Sequence, residues 1–347
     1  MSLLSERLAR APLLRHAKPF YGREALLCLP ALPLLMIGGL VLGHPIQGAV
    51  AAGAAFSVGF GAARDLAGRR WAAMLAAALG MALAALVGSL TGAWLWVFAP
   101  ICALAAAGCA YLALVDEDLW WVALQVVIAL LVAGYYPGPA SAALQRTGLV
   151  LLGGAAQMAV TIVLAWLIPN AAHRLPRGAS KLAPPLRLVV GHLSRAAICV
   201  ALSLVAARVM GLANSYWAPM TALIVLKPHL HETRVRGVAR LGGTLAGCLA
   251  ASLFAMAVGY GASWLLAGLT LGVGLSYALQ KAHYAALTSA ITFTVVLLLS
   301  LVRGDAVQTA EHRILATLIG GLLALGLAQI APHATSSTPT ASDHVGA

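Results

Sequence analysis

Two stretches of this chain place an arginine seven residues ahead of a glycine pair inside a long apolar run. Arg146 precedes Gly153-Gly154 in a run that ends at Pro169, and Arg313 precedes Gly320-Gly321 in a run that ends at Pro332. The two arginines are 167 residues apart. The same offset recurs upstream, where Arg69 stands eleven residues before Gly80 and Arg236 eleven before Gly247. Tyr111 and Tyr277, each opening another apolar run, are 166 apart. Chains rich in Ala, Leu and Gly resemble one another by chance, so the polar landmarks carry this inference. They predict two copies of one membrane unit of about 170 residues, the internal symmetry of many transporters.

The membrane assignment follows from surface arithmetic. Hydrophobic residues make up 61% of the 347 and charged residues 9%, against roughly 45–50% and 25% in a soluble domain. Folded in water, such a chain would lack the polar surface to cover itself. The apolar runs are about 17–22 residues long and lack period-two alternation, which favours helices over a barrel. The expected fold is an all-α polytopic membrane protein of about twelve transmembrane helices arranged as two parallel six-helix repeats. The spans fall at 25–42, 46–63, 71–90, 94–114, 118–134, 147–168, 193–212, 215–226, 238–258, 262–280, 283–301 and 314–331, with 215–226 short for a full crossing. Tight hairpins at 43–45, 91–93 and 213–215 predict antiparallel neighbours.

Around these spans, residues 1–24 form a basic cytoplasmic N-terminal segment, 25–169 the first repeat and 170–192 a basic cytoplasmic linker with Pro176, Pro184 and Pro185. Residues 193–332 form the second repeat and 333–347 a disordered tail. The N-terminal basic residues lead directly into further spans, so no cleavable signal is expected. With the N-terminus inside, the cytoplasmic segments hold eighteen Lys and Arg. The outside then holds four, namely Arg146, Arg208, Arg303 and Arg313. That ratio orients both termini to the cytoplasm. Six spans per copy run both copies the same way, which sets their symmetry axis along the membrane normal. The net charge of +12 lies between spans, where it meets anionic lipid head groups and not nucleic acid.

No catalytic constellation is present: no P-loop lysine, no His-Glu-x-x-His and no nucleophile elbow. No cofactor or metal is expected. His229 and His231 read as solvated loop residues, and Cys28, Cys102, Cys109, Cys199 and Cys248 as small apolar packing residues. Gly242-Gly243 with Gly247 is a small-residue pattern for close helix packing. Asp116-Glu117-Asp118 beside Trp120-Trp121 reads as an interfacial turn or as a cation acceptor at the cytoplasmic mouth. Arginine at membrane depth must snorkel, pair or face a polar cavity. Arg208 near the end of the seventh span, and Arg146 and Arg313 opening the sixth and twelfth, therefore either reach the outer head groups or face a central pathway. In a pathway, guanidinium would grip a carboxylate at two points. Lys227, before Pro228, reads as an inner-mouth residue or as an anchor.

The segment Ser215-Tyr216-Trp217-Ala218-Pro219-Met220-Thr221, continuing to Lys227-Pro228, is followed by Thr233-Arg234-Val235-Arg236 and by Gly242-Gly243-Thr244-Leu245-Ala246-Gly247. It resembles the fusaric-acid-resistance-like (FUSC) family, as does Arg313 with Thr317 and Gly320-Gly321. The resemblance covers about residues 195–331. In the first copy His44-Pro45 takes the place of the Tyr-Trp-Ala-Pro stretch, and Arg69-Arg70 that of the Arg-rich loop. It implies a bacterial inner-membrane protein related to aromatic-carboxylate exporters and, more distantly, to plant malate channels. Larger relatives carry a cytoplasmic domain and some work with a periplasmic adaptor, but no stretch of this sequence reads as such a domain. The expected function is export of small organic, aromatic carboxylate anions. The expected site comprises Arg146, Arg208, Arg313 and Lys227 for charge, with Ser215, Tyr216, Trp217 and Thr221 for hydrogen bonds and an aromatic face. A non-transporting scaffold or accessory subunit and a passive anion channel stay open as alternatives. The expected partners are the anionic bilayer, the organic anion and a second copy of the chain.

Overall fold

Proline and glycine punctuate the apolar runs, and the helices end where they stand. In a computed structural model, which describes residues 21–66, 68–168, 185–280 and 283–330, the first run is two helices, α1 (Gly22–Cys28) and α2 (Ala31–Val41). They part at Leu29-Pro30, where proline offers no amide hydrogen. In a membrane the backbone groups released by such a break need partners inside the protein. The buried Gln157 amide donates to the Cys28 carbonyl at 3.0 Å. The chain continues through α3 (Pro45–Gly59), α4 (Ala72–Thr91), α5 (Leu95–Val115), α6 (Glu117–Tyr135) and α7 (Ala140–Leu167). It then runs through α8 (Leu186–Val209), α9 (Trp217–Val225), α10 (Leu230–Ala257), α11 (Ala262–Ala278), α12 (Tyr284–Arg303) and α13 (Ala306–Ile330). A two-residue hairpin, β1 (Asp65–Leu66) with β2 (Arg69–Arg70), joins α3 to α4.

The chain is an all-α, multi-pass membrane protein. Among the described residues nine helical segments are long and apolar enough to cross a bilayer, counting α1 with α2 as one. Each remaining expected span also has a helix at its place, but a shorter one. Helix α11 has 17 residues, α3 has 15 and α9 only nine. At 1.5 Å per residue α9 rises about 14 Å, less than half of a bilayer core of about 30 Å.

Four helices begin seven or eight residues earlier than their spans were expected to. Helix α7 starts at Ala140 and α13 at Ala306, so Arg146 and Arg313 stand inside helices and not at their openings. Helix α10 starts at Leu230, which makes the Arg-rich stretch 234–240 helical. Helix α8 starts at Leu186, within the stretch expected to be linker. Residues 1–20, 169–184 and 331–347 lie outside the described residues, and with them most of the expected N-terminal segment, linker and tail.

Small residues set the packing. In the first half α4 packs on α6 and α7, α3 on α7, α2 on α3 and on α7, and α5 on α6. In the second half α10 packs on α12 and α13, α9 on α13, α8 on α9 and on α13, and α11 on α12. Between halves, α5 lies against α8 and α11 against α1, while α9 touches α6 and α12 touches α3. The glycine pairs sit at matching crossings: a methyl on Gly153 would strike the Ala51 carbonyl, and one on Gly320 the Ala218 carbonyl. Both pairs of partners differ by 167 in number. Gly243 and Gly247 press on α12, where an added methyl would lie 2.8 Å from the Cβ of Thr288 and of Thr292 respectively. Large apolar side chains such as Leu79, Leu83, Trp96, Trp166, Leu249 and Leu322 are exposed on the outer faces, as lipid requires.

Candidate functional site

Serine and threonine in a membrane helix usually return their hydroxyl to the carbonyl four residues back. Thr91, Thr147, Ser203, Ser276, Thr294, Ser300 and Thr317 all do so. Four buried threonines do not. The Oγ1 atoms of Thr221, Thr244, Thr288 and Thr292 have no hydrogen-bond partner, and these residues are at most 1% exposed. All four lie where α9, α10, α12 and α13 pack together.

The helical register explains the cluster. Arg236, Arg240 and Thr244 are spaced by four on α10, and Tyr284, Thr288 and Thr292 by four on α12. Residues four apart share a helix face. Gly243 and Gly247 let these two faces close on each other. The result is a polar seam. At one end the Arg236 guanidinium stacks on the Tyr284 ring, 4.1 Å from its centroid. Deeper in, Arg240 is 5% and Arg313 3% exposed. Arg313 lies over the Trp217 ring at 4.9 Å, and the charge of Arg240 reaches it. Among the described residues no carboxylate forms a salt bridge with Arg240 or Arg313, and the Nε atoms of Arg236, Arg240 and Arg313 have no partner. A buried cation without a counter-charge costs several kcal/mol, and a second cation beside it adds repulsion. An anion between them would relieve both.

The other expected cations have different surroundings. Arg208 donates to the Gly92 and Gly134 carbonyls, both at 2.9 Å, and lies over Phe98. Arg146 donates to Ser89 Oγ and to the Tyr136 carbonyl and lies over the Tyr136 ring. Both join helix ends where α4, α6 and α8 finish. Ser215, Tyr216, Trp217 and Thr221 are buried together at the start of α9, with Tyr216 edge-on to Tyr135 and to Trp217. Asn214, in the left-handed region at φ 55°, makes the turn into them and accepts from the Tyr136 hydroxyl at 3.2 Å. Lys227 stands beyond the far end of α9, 4.6 Å from the Trp120 ring centroid. The structure thus brings Arg313, Ser215, Tyr216, Trp217 and Thr221 together and leaves Arg146, Arg208 and Lys227 apart from them.

Sequence reasoning passed over Arg240, Thr244, Thr288 and Thr292. Their four-residue spacing was a usable signal once 230–240 is helix. The acidic turn is structural: Asp116 Oδ1 caps α6 through the amides of Asp118 and Leu119, and Asp118 pairs with Arg64 at 2.8 Å. Burial lowers the Arg64 pKa, and the Asp118 carboxylate opposes that.

No curated protein and no solved structure matches the chain. The second half is a different matter: residues 200–327, from within α8 to within α13 and so including the whole polar seam, match the model of the fusaric acid resistance protein-like family.

Proposed function

We propose that the chain is an inner-membrane carrier that moves small organic carboxylate anions, aromatic ones among them, outward through the second half. One observation carries this reading. Two buried guanidiniums, Arg240 and Arg313, stand without a carboxylate in a seam lined by threonine hydroxyls that have no partner. Guanidinium binds a carboxylate through two parallel N–H donors and keeps its charge at any physiological pH. Trp217 and Tyr216 offer an aromatic ring a flat neighbour. The match to a fusaric acid resistance protein-like family supports an acid with a ring. The inner seam residues Thr221, Arg240, Thr244, Thr288, Thr292 and Arg313 are at most 5% exposed, while Arg236 and Tyr284 at its end are half-buried, an arrangement closed at depth that favours a carrier over an open channel.

The paired helix packings and the matching Gly153 and Gly320 crossings support two six-helix repeats and twelve elements, with the short α3 and α9 at equivalent places. Broken or short helices at equivalent places of two repeats accompany the binding sites of many carriers. The Lys and Arg distribution supports cytoplasmic termini. In that topology a cysteine replacing Asp305 reacts with an impermeant reagent from outside and one replacing Arg69 does not.

The test of function is counterflow of labelled benzoate in proteoliposomes. Saturable counterflow that Arg313→Ala removes and Arg313→Lys restores in part supports the carrier. A benzoate current without counterflow would make it a channel. Neither, with a second protein co-purifying, would make it a scaffold.

A further inference from the structure

A cavity of about 50 Å³ lies between α5, α8 and the end of α9, away from the seam. Its lining includes Ala110, Trp120, His192, Lys227 and Pro228. His192 is 3% exposed, and its Nδ1 has no partner. Lys227 lies over the Trp120 ring. Arg195 donates to the Pro228 carbonyl at 3.3 Å, and the charges of Arg195 and Lys227 reach His192. No lining residue is a carboxylate. Two cations, Lys227 in the lining and Arg195 beside it, thus gather at a void with an unused imidazole nitrogen.

The opposite interface between the halves shows that the void is particular to this one. Residues 167 positions from Ala110, Leu223, Leu226 and Lys227 are Tyr277, Phe56, Gly59 and Phe60. These four do meet: Tyr277 packs on Phe56 and Phe60, donates to the Phe56 carbonyl at 2.9 Å and fills the space over Gly59. Where the α11–α1 side has a tyrosine plug, the α5–α8 side has alanine and a hole. Where that side has Phe60, this one has an ammonium.

We infer that this cavity is a binding site for one small anion, a halide or a single carboxylate group, held by Lys227 and His192 against Trp120. The size agrees: a water takes about 10–15 Å³ of such volume, so the void admits a carboxylate, or a halide with a water, and excludes an aromatic acid. The site stands at the far end of α9 from Trp217 and does not depend on the seam's role.

The experiment is bromide titration of the detergent-solubilised protein in gluconate, read by tryptophan fluorescence. Bromide quenches indole on contact, so a bound ion gives a saturable component and free ions a linear one. The saturable component should vanish in Trp120→Phe, shift at least tenfold to higher bromide in Lys227→Gln, and persist in Arg313→Ala. Ala110→Leu fills the void much as Tyr277 fills its counterpart. It leaves the buried His192 in place, and should also abolish the saturable component. Acetate that competes with bromide identifies a carboxylate occupant, and acetate without effect identifies a halide site. Purely linear quenching, or a saturable component unchanged in Lys227→Gln and Ala110→Leu, would overturn the inference.

Discussion

The two halves of this protein pack their helices in corresponding pairs and fill the space between them differently. At the 167-residue offset, the seam positions Thr221, Arg240, Thr244, Thr288, Thr292 and Arg313 correspond to Ala54, Ala73, Ala77, Trp121, Gln125 and Arg146. In the first half Ala54, Ala73, Ala77 and Trp121 belong to the apolar core, and only Gln125 and Arg146 are polar. Arg146 itself is tied to Ser89 and Tyr136, while Arg313 keeps an idle Nε. Packing of small residues, which sets the helix crossings, is common to both halves. Unsatisfied polarity is concentrated in the second. A buried polar group without a partner costs about 1–3 kcal/mol. The first half therefore reads as a support filled for stability, and the second as a site that forgoes stability for a ligand.

The largest expected effect separates the paired arginines. Arg313→Ala should weaken benzoate binding by about ten- to a hundredfold, the value of a charge-assisted contact of about 1.5–3 kcal/mol. Arg313→Lys should recover only part, since an ammonium lacks the planar two-point geometry. Arg146→Ala should leave affinity unchanged and lower the melting temperature, because its partners are a serine and a carbonyl of its own half. Calorimetric titration of both variants decides. Equal losses of affinity would erase the distinction between halves and restore a symmetric cation pair.

The next effect tests what the halves share. A methyl on Gly153 or on Gly320 meets a backbone carbonyl that cannot rotate away. Gly153→Ala and Gly320→Ala should each destabilise by about 1–3 kcal/mol, the usual cost of overpacking. Gly321→Ala, with open space around it, should be neutral or slightly stabilising. Thermal denaturation in detergent that spares Gly153→Ala alone would mean the crossings are not equivalent.

Much of this scaffold was legible in the sequence and little of the site was. Apolar runs and hairpin glycines placed the helices in order along the chain, because lipid forces every backbone amide into its own helix. The Arg-rich stretch 234–240 read as a loop, since charge was taken to mean solvent. Arginine is a good helix former, and α10 continues through it. Tyr111 seemed the mate of Tyr277 at an offset of 166, yet Tyr111 is 48% exposed, and Ala110, one residue earlier, holds the buried place. One residue turns a helix face by about 100°, so a single step of offset exchanges plug for cavity. The threonines were hidden for a further reason. Thr292 and Thr294 look alike as letters, but Thr294 returns its hydroxyl to Ala290 while Thr292 packs its Cβ on Gly247 of α10 and its hydroxyl has no partner.

That last pair supplies the smallest prediction and the sharpest control. Valine matches threonine in shape and removes the hydroxyl. At Thr288 or Thr292 the hydroxyl lacks a partner, so in the empty protein its removal relieves an unpaid desolvation, and stability should hold or rise. In the bound state the same hydroxyl would donate to the anion, and its loss should weaken benzoate by about fivefold, or roughly 1 kcal/mol. Thr294→Val reverses the balance: the hydroxyl is spent on a backbone carbonyl, so affinity should not move. Val150→Thr, at the first-half position matching Thr317, should likewise leave affinity unchanged, because a hydroxyl there can return to the carbonyl of Arg146. Melting temperature and affinity measured on the same four variants should therefore move independently, with stability and binding opposed only on the seam. If Thr288→Val and Thr292→Val lost stability and kept full affinity, the seam would be ordinary packing and the contrast between halves would concern stability alone.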